Sequence, residues 1–167
     1  MRRDILKRMM AFVVAAMLSF ICLTPDTTKA KDFSQTDSIS DELVNASESS
    51  ANAGLSTKGD ANAFFRMMKQ MEYDDSDSRL KVKQAQSDGK YIYTITLKMK
   101  GLTVNDVIRY ASSSSKKNFI STSKKISRKW YKAAGKQGIN ADVYFILSAK
   151  NGYVVKALNG TVIDSKI

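Results

Sequence analysis

Residues 79–100 read RLKVKQAQSDGKYIYTITLKMK and predict a β-hairpin. At its centre, Asp88-Gly89 is the dipeptide typical of a two-residue type I′ turn, in which both central residues need a positive φ. The two flanking runs alternate polar and apolar side chains, as strands with one buried face do. The turn and the alternation therefore predict both the hairpin and its register.

That register places Ser87 opposite Lys90 beside the turn. Counting outward, the pairs on one face are Gln84 with Tyr93, Val82 with Ile95 and Leu80 with Leu97, and the pairs on the other face are Lys83 with Thr94 and Lys81 with Thr96. We expect the first face to pack on the core and the second to meet solvent. The core side chains of the second strand are then Tyr91, Tyr93, Ile95, Leu97 and Met99.

Further strands are predicted near the C-terminus. Residues 143–149 alternate in the same way, and Asn151-Gly152 and Asn159-Gly160 each separate runs rich in β-branched residues. Asn before Gly readily adopts the positive φ of tight turns, so both pairs are predicted to form them, and the first is the stronger signal. The segment predicts a three-stranded meander.

Two helices are predicted around these strands. The first is capped by Asp60 and has an apolar stripe made of Phe64, Phe65, Met67, Met68 and Met71. The second has Thr103 as its N-cap, with Asp106 three residues on. Its apolar stripe keeps steps of three or four through Val104, Val107, Ile108, Ala111, Ser115, Phe119, Thr122, Ile126, Trp130 and Ala133.

The length of the second helix stays open at this stage. As one helix, residues 104–137 would span about 51 Å at 1.5 Å per residue, which is long for a domain of this size. The SSSS at 112–115 is a candidate break. Both versions place the same residues on the buried face.

The order of elements is helix, hairpin, helix, then hairpin or meander. This order predicts the α+β class: an antiparallel sheet of four to five strands with two helices, one of them long, on one face. We assign the folded domain to residues 61–167, which have a net charge of +12 and nearly all the aromatic residues beyond residue 30.

The N-terminus has the three regions of an export signal. A basic segment at 2–8 precedes 15 apolar or small residues from Met9 to Leu23, and Thr28 and Ala30 occupy the −3 and −1 positions of a cleavage site. We therefore predict a signal peptide at 1–30, cleaved after Ala30, and a secreted or cell-envelope protein. The alternative is an uncleaved anchor, although a spanning helix needs about 20 apolar residues.

Residues 31–60 are predicted to be a disordered tether. They are rich in Ser, Ala and Asn, contain few large apolar residues and have a net charge of −4. Such a segment cannot bury enough apolar surface to offset the entropy lost on ordering.

Composition excludes several kinds of chemistry. The chain has no His and one Cys. Without His there is no imidazole general base, no Ser-His or Cys-His nucleophile pair, and no imidazole ligand for zinc. The one Cys, Cys22, lies within the predicted signal, so the mature chain has no disulfide, and we expect no cofactor.

Nine basic residues and no acid lie between Val107 and Ala141. Projected at 100° per residue, all nine fall away from the apolar stripe or along its border. Arg109 is the first of them, and the other eight form the candidate surface for an anionic partner: Lys116, Lys117, Lys124, Lys125, Arg128, Lys129, Lys132 and Lys136.

The partner that we expect is an anionic cell-envelope polymer or a membrane surface. Nucleic acid is disfavoured by the predicted export and by the lack of spaced aromatic residues for stacking. Ile120 and Tyr131 project on the charged side and are candidate anchors. The plain alternative is a solvated outer face of a packed helix.

The alternatives to a non-enzymatic domain are a small enzyme and a membrane-active factor. The S-x-x-K spacing of acyl-serine enzymes occurs at Ser121–Lys124, Ser113–Lys116 and Ser114–Lys117, but those enzymes also need a downstream K-[ST]-G strand, whereas this chain has only KNG at 150–152. A small Ser/Lys hydrolase-like enzyme is therefore the alternative, and a membrane-active factor whose 104–137 helix leaves the sheet is a third. The acids at 74–77 lack the Gly and closing Glu of a calcium loop and predict a solvated turn.

The domain also resembles a known family in its element order and hairpin style. The short first helix, DGKYIYTITLK at 88–98, the long polar helix and VYFILSAKNGYVV at 143–155, all after an export signal and tether, are similar to small exported domains of unknown function from Gram-positive bacteria. The resemblance covers residues 61–167 and implies this fold and location, with no site residues. Members are often lipid-anchored through a Cys, whereas the residues before Cys22 end in a bulky Ile instead of the small residue that such a signal needs.

Overall fold

The computed structural model describes residues 58–167. The predicted signal peptide and residues 31–57 of the predicted tether lie outside the described residues. The elements, in chain order, are α1 (Lys58–Lys69), β1 (Tyr73–Asp74), β2 (Ser78–Ser87), β3 (Lys90–Met99), α2 (Val104–Tyr110), α3 (Ser113–Lys136), β4 (Ala141–Ala149), β5 (Gly152–Leu158) and β6 (Thr161–Ser165).

The first helix starts earlier than predicted. α1 begins at Lys58, and Asp60 lies in its first turn instead of at its N-cap. A carboxylate in the first turn stabilises a helix through the exposed backbone N–H groups there, so Asp60 still marks the start of the helix. The last three residues assigned to the tether are therefore helical.

The hairpin of β2 and β3 is confirmed residue by residue. Ser87 pairs with Lys90, and the register continues through Gln84–Tyr93 and Val82–Ile95 to Leu80–Leu97. Both turn residues, Asp88 and Gly89, have positive φ, at 52° and 72°. All five residues predicted for the core face of β3 are buried.

The sheet itself differs from the prediction. It has six strands in the order β1-β2-β3-β4-β5-β6, and the central pair, β3 and β4, is parallel. The described residues form three helices in place of two. The class is α+β, but the expected all-antiparallel sheet of four to five strands is wrong, because α2 and α3 carry the chain back along the sheet and deliver β4 in the direction of β3.

The additional strand, β1, arises within the acidic loop. Tyr73 and Asp74 pair with Leu80 and Arg79 on β2, so the chain predicted to be a solvated turn begins with a two-residue strand. The backbone then turns, and Asp75 Oδ1 accepts the N–H groups of Asp77 and Ser78.

The long helix is broken. Thr103 and Asp106 form the predicted capping box for α2, which ends at Tyr110. Ala111 is extended, and Ser112 starts α3, its Oγ accepting the Ser115 N–H at 3.1 Å. The single 104–137 helix is therefore wrong and the break at SSSS is confirmed, because a Ser side chain that caps a helix competes with the continuing helical backbone.

The C-terminal meander is present, but the positive-φ turn forms at the second Asn-Gly pair and not at the first, which was the stronger signal. Asn159 (φ 51°) and Gly160 (φ 93°) form the positive-φ turn between β5 and β6. Asn151 has no positive φ, and its Oδ1 accepts the Val104 N–H at the start of α2, at 2.8 Å. The first Asn therefore caps a helix instead of forming a type I′ turn.

All the helices pack on one face of the sheet. Phe64 of α1 makes edge-to-face ring contacts with Tyr93 at 5.2 Å and with Trp130 of α3 at 5.8 Å. Tyr93 also donates its hydroxyl to the Ala61 carbonyl, and burial raises the pKa of Tyr93 to about 12. Most of the predicted α2–α3 stripe is buried, with Ile108 as an exposed exception.

None of the helices within residues 58–167 packs on the opposite face of the sheet. Lys81, Lys83 and Lys98 are exposed there, beside partly buried Thr94 and Tyr144. This agrees with the prediction that one face of the hairpin meets solvent. It also gives the protein a second basic surface, on the far side of the sheet from α3.

Candidate anion-binding surface

The outer face of α3 is oriented by its buried stripe. Phe119, Ile126 and Trp130 are all at most 4% exposed and hold the helix against the sheet. Since side chains rotate by 100° per residue around a helix, the positions opposite these three point to solvent. Lys117, Lys124, Arg128 and Lys132 occupy those positions, and all four are exposed.

An open depression lies on this face towards the N-terminal half of α3. Four cations line it, namely Lys117, Lys124, Lys125 and Arg128, together with Ile120 and Ser121. The structure therefore brings four of the eight predicted site residues around one partly buried apolar side chain. We call these four residues the cationic cluster.

The other predicted site residues lie apart from the cluster. Lys132 and Lys136 are exposed further along α3, and Lys129 is partly buried and takes part in an interaction of its own. Lys116 donates from Nζ to the Ile108 carbonyl at 2.7 Å, where it caps the end of α2. Arg109 is exposed on α2, a different helix.

Of the two candidate anchors, Ile120 belongs to the cluster and Tyr131 does not. Ile120 is partly buried and packs against the core as well as lining the depression. Tyr131 is 42% exposed and lies close enough to Lys90, at the end of the β2–β3 hairpin, to interact with it electrostatically.

Arg128 is positioned by the turn between β5 and β6. Gly160 is buried, and a Cβ at this residue would lie 2.6 Å from Arg128 Nε and 2.7 Å from Arg128 Cβ. The Gly160 N–H donates to Ser127 Oγ at 2.9 Å, which ties the same turn to α3. Arg128 therefore lies against the Gly160 backbone along its stem and at Nε, while the residue as a whole remains exposed.

The cationic cluster forms no ion pair within residues 58–167. Other charged residues of that region do form ion pairs: Asp74 with Arg79 and Lys100, Lys90 with Asp142, Lys69 with Glu72, and Lys166 with Asp164. Like charges held close together without a counter-ion attract anions from solution. The positive potential of this face is therefore not neutralised by the rest of the described domain.

Carboxylates of the acidic loop at 74–77 accept hydrogen bonds from, and form ion pairs with, nearby residues of the domain. Asp74 accepts from Arg79 Nε at 2.6 Å and also contacts Lys100, and Asp75 accepts two backbone N–H groups of the loop. Within residues 58–167, no group of three or more His, Cys, Asp or Glu side chains is arranged to hold a metal ion.

The Asp74 contacts predict a pH dependence of stability. Hydrogen bonds from Arg79 and then Lys100 lower the pKa of Asp74 from 3.8 to about 2. Because the folded pKa lies below the unfolded one, the carboxylate stabilises the fold above about pH 4, and this contribution disappears as the pH falls through about 2. We expect Asp74→Asn to reduce the loss of stability between about pH 5 and pH 2, as measured by urea unfolding.

Asp88→Asn is the matched control for that measurement. Asp88 forms no ion pair with any described residue, and Asn tolerates its positive φ. An equal change of the pH profile in the two variants would contradict the assignment to Asp74.

The S-x-x-K pairs lie on exposed helix surface. Ser121 and Lys124 both line the open depression, and they form no hydrogen bond with each other. Ser113 and Ser114 lie in the first turn of α3, and Lys116 is bonded to a backbone carbonyl of α2. A serine nucleophile needs a base within hydrogen-bond reach, and none of these pairs provides one in this structure.

Two features of this surface were missed from the sequence. The contact between Gly160 and Arg128 joins residues 32 positions apart in the chain, and the bond from Gly160 to Ser127 spans 33. Gly160 was read as part of a turn signal, and a turn dipeptide does not indicate which helix it touches. In the sequence, Ser127 directly follows Ile126 of the apolar stripe, and this position was the one available sign of a buried polar contact there.

No protein-family model, no curated protein and no solved structure matches the chain in the three comparisons made. Within residues 58–167, no helix has the length and apolar character needed to cross a membrane.

Proposed function

We propose that this protein is an exported, non-enzymatic domain that binds an anionic partner through the outer face of α3. The observation that supports this most directly is the cationic cluster, in which Lys117, Lys124, Lys125 and Arg128 surround a depression with no described acid to neutralise them. The partner is an anionic cell-envelope polymer or an anionic membrane surface. Export agrees with the resemblance to small exported domains of Gram-positive bacteria, which we retain as a proposal.

The strength of such binding is set by charge and salt. Each Lys or Arg held near an anionic surface contributes about 1 kcal/mol, so the four together contribute about 4 kcal/mol, which corresponds to a dissociation constant of about 1 mM. Exposed charges are screened over about 8 Å at physiological ionic strength. The affinity should therefore fall steeply as salt is added.

Export predicts a defined mature N-terminus. The basic, apolar and small-residue regions at 1–30 predict cleavage after Ala30, so the secreted protein should begin at Lys31. Mass spectrometry of material recovered outside the cell measures this directly. An intact Met1 start in that material would show that the segment is not a cleaved signal.

Reversing charges within the cluster should weaken binding more than reversing charges elsewhere. We expect Lys117→Glu, Lys124→Glu and Lys125→Glu together to lower the affinity for anionic vesicles and for poly-L-glutamate about 100-fold, since three favourable contacts are lost. Arg128 is left unchanged in this variant because its stem packs against Gly160. Vesicle sedimentation and fluorescence anisotropy at fixed salt give the two affinities.

The matched control is the triple reversal of Lys81, Lys83 and Lys98 on the open face of the sheet. These three residues are also exposed and the reversal changes the net charge by the same amount, so a diffuse charge effect would weaken binding equally in both variants. We expect a loss of less than about 10-fold in the control. Equal losses would remove α3 as the site, and circular dichroism of both variants must first show that the domain is folded.

A further inference from the structure

The cations on the outer face of α3 form a line instead of a patch. Lys117, Lys124, Arg128 and Lys132 lie within a narrow arc of the helix, with Lys125 and Lys136 beside them. From Lys117 to Lys136 this row extends about 28 Å along the helix axis at 1.5 Å per residue. From Lys124 onward a cation occurs every four residues, or about every 6 Å.

Little apolar surface accompanies this row. A helix that binds in the plane of a bilayer places a broad apolar face among the lipid chains. In α3 that face is buried against the sheet by Phe119, Ile126 and Trp130. Of the four large apolar residues most exposed in the described domain, only Tyr131 is on α3, and it lies near the hairpin end.

Arg128 adds a fixed contact at the middle of the row. Because its stem lies against Gly160, its guanidinium loses less freedom on binding than that of an unrestrained Arg. The planar guanidinium can donate two parallel hydrogen bonds to one phosphate, sulfate or carboxylate group. A chain of such groups would pass over this point while the flanking Lys residues bind its neighbours.

We propose that the partner is a linear polyanion that lies along the axis of α3, in preference to a lipid bilayer. This inference rests on the proposed function and specifies the partner of the same surface. A linear chain can contact the whole row at once, whereas a bilayer approaching the same face would gain charge attraction and bury little apolar surface beyond the partly buried Ile120.

The test compares the protein's affinity for oligo-L-glutamates of 4, 8 and 16 residues with its affinity for phosphatidylglycerol vesicles, at one ionic strength. An extended oligomer of 8 residues reaches about 26–29 Å, which matches the row. We expect the affinity to rise at least about 10-fold from 4 to 8 residues and only about twofold from 8 to 16, because no further cations are reached. Vesicles should bind more weakly than the 16-residue oligomer at equal anion concentration.

Variants at the two ends of the row give a second measurement. Replacing Lys117 and Lys136 by Gln together should weaken binding of the 16-residue oligomer several-fold and leave the 4-residue oligomer almost unchanged, since a short chain binds near the middle. The matched control, Lys81→Gln with Lys98→Gln, should change neither.

The failures of the two proposals are distinguishable. Tighter binding to vesicles than to any oligomer, still abolished by the cluster reversal, would overturn the linear polyanion and leave the proposed function intact. Affinity independent of oligomer length would also overturn it. Binding to neither probe, or equal loss in the cluster and control reversals, would overturn both.

Discussion

Replacing Trp130 by Ala should lower the free energy of unfolding by about 3 to 5 kcal/mol, a large part of the roughly 5 to 15 kcal/mol by which a typical domain is stable. Trp130 is 3% exposed and meets the Phe64 ring edge-to-face at 5.8 Å. It also borders a void of about 10 Å³ next to Ile126 and Phe145, so part of the space is already empty before the side chain is removed. Urea unfolding followed by circular dichroism measures the change.

The neighbouring residue is the control for this prediction. Tyr131 is aromatic, is on the same helix and is 42% exposed, so Tyr131→Ala should cost less than about 1 kcal/mol. Similar losses at the two positions would mean that α3 does not present Trp130 to the sheet.

Replacing Gly160 by Ala should destabilise the fold by about 2 to 4 kcal/mol. One part of the cost is the positive φ of 93°, which a residue with a Cβ rarely adopts. The other part is the contact of the new methyl group with Arg128, whose Cβ and Nε would lie within 2.7 Å. Since Arg128 must move, the affinity for anionic probes should fall as well, although no charge has changed.

Gly89→Ala separates the two contributions. Gly89 has a comparable positive φ of 72° and nothing within 4 Å of where a Cβ would be, so only the backbone cost applies, about 1 to 2 kcal/mol. Binding should be unchanged in this variant. If Gly160→Ala costs no more than Gly89→Ala and binds normally, the turn does not press on Arg128.

How much of the fold was predictable differs from one element to the next. Asp88-Gly89 determined the β2–β3 register because a two-residue turn leaves one possible pairing, and the alternation of the strands agreed with it. The direction of β4 was not predictable in this way. Alternation with a period of two is the same in parallel and antiparallel strands, so residues 143–149 predict a strand and say nothing about the direction of its neighbour.

The helix break was indicated by the SSSS at 112–115, but the apolar pattern could not decide it. The apolar steps of three and four run without interruption across Ala111, so periodicity alone describes one helix. The break depends on the Ser112 side chain, which caps α3, and on the Asn151 side chain, which caps α2 from the β4–β5 loop. The contact between Asn151 and Val104 joins residues that are 47 positions apart in the chain, so no local sequence pattern indicates it.

The candidate surface was predictable as a face but not as a cluster. Projection around the helix placed eight basic residues on one side of α3. The neighbouring elements determine which of these residues lie close together. Lys116 donates a hydrogen bond to the end of α2, and the β5–β6 turn restrains Arg128.

The parallel pairing of β3 and β4 has a consequence for cooperativity. It is the seam between two pieces that are local in the chain, a hairpin with β1 on one side and the β4–β6 meander on the other. β1 has only two residues, so the first piece is close to a two-stranded hairpin, which is marginally stable at best, and the meander has an apolar face that α3 covers. Here α3 packs on the meander, and its Trp130 contacts Phe64 on α1, which packs on the hairpin. The helix that presents the cationic row therefore also connects the hairpin half of the domain to the meander half. Neither half should therefore fold autonomously, and a truncation on either side of α3 removes the other half's structure along with its own.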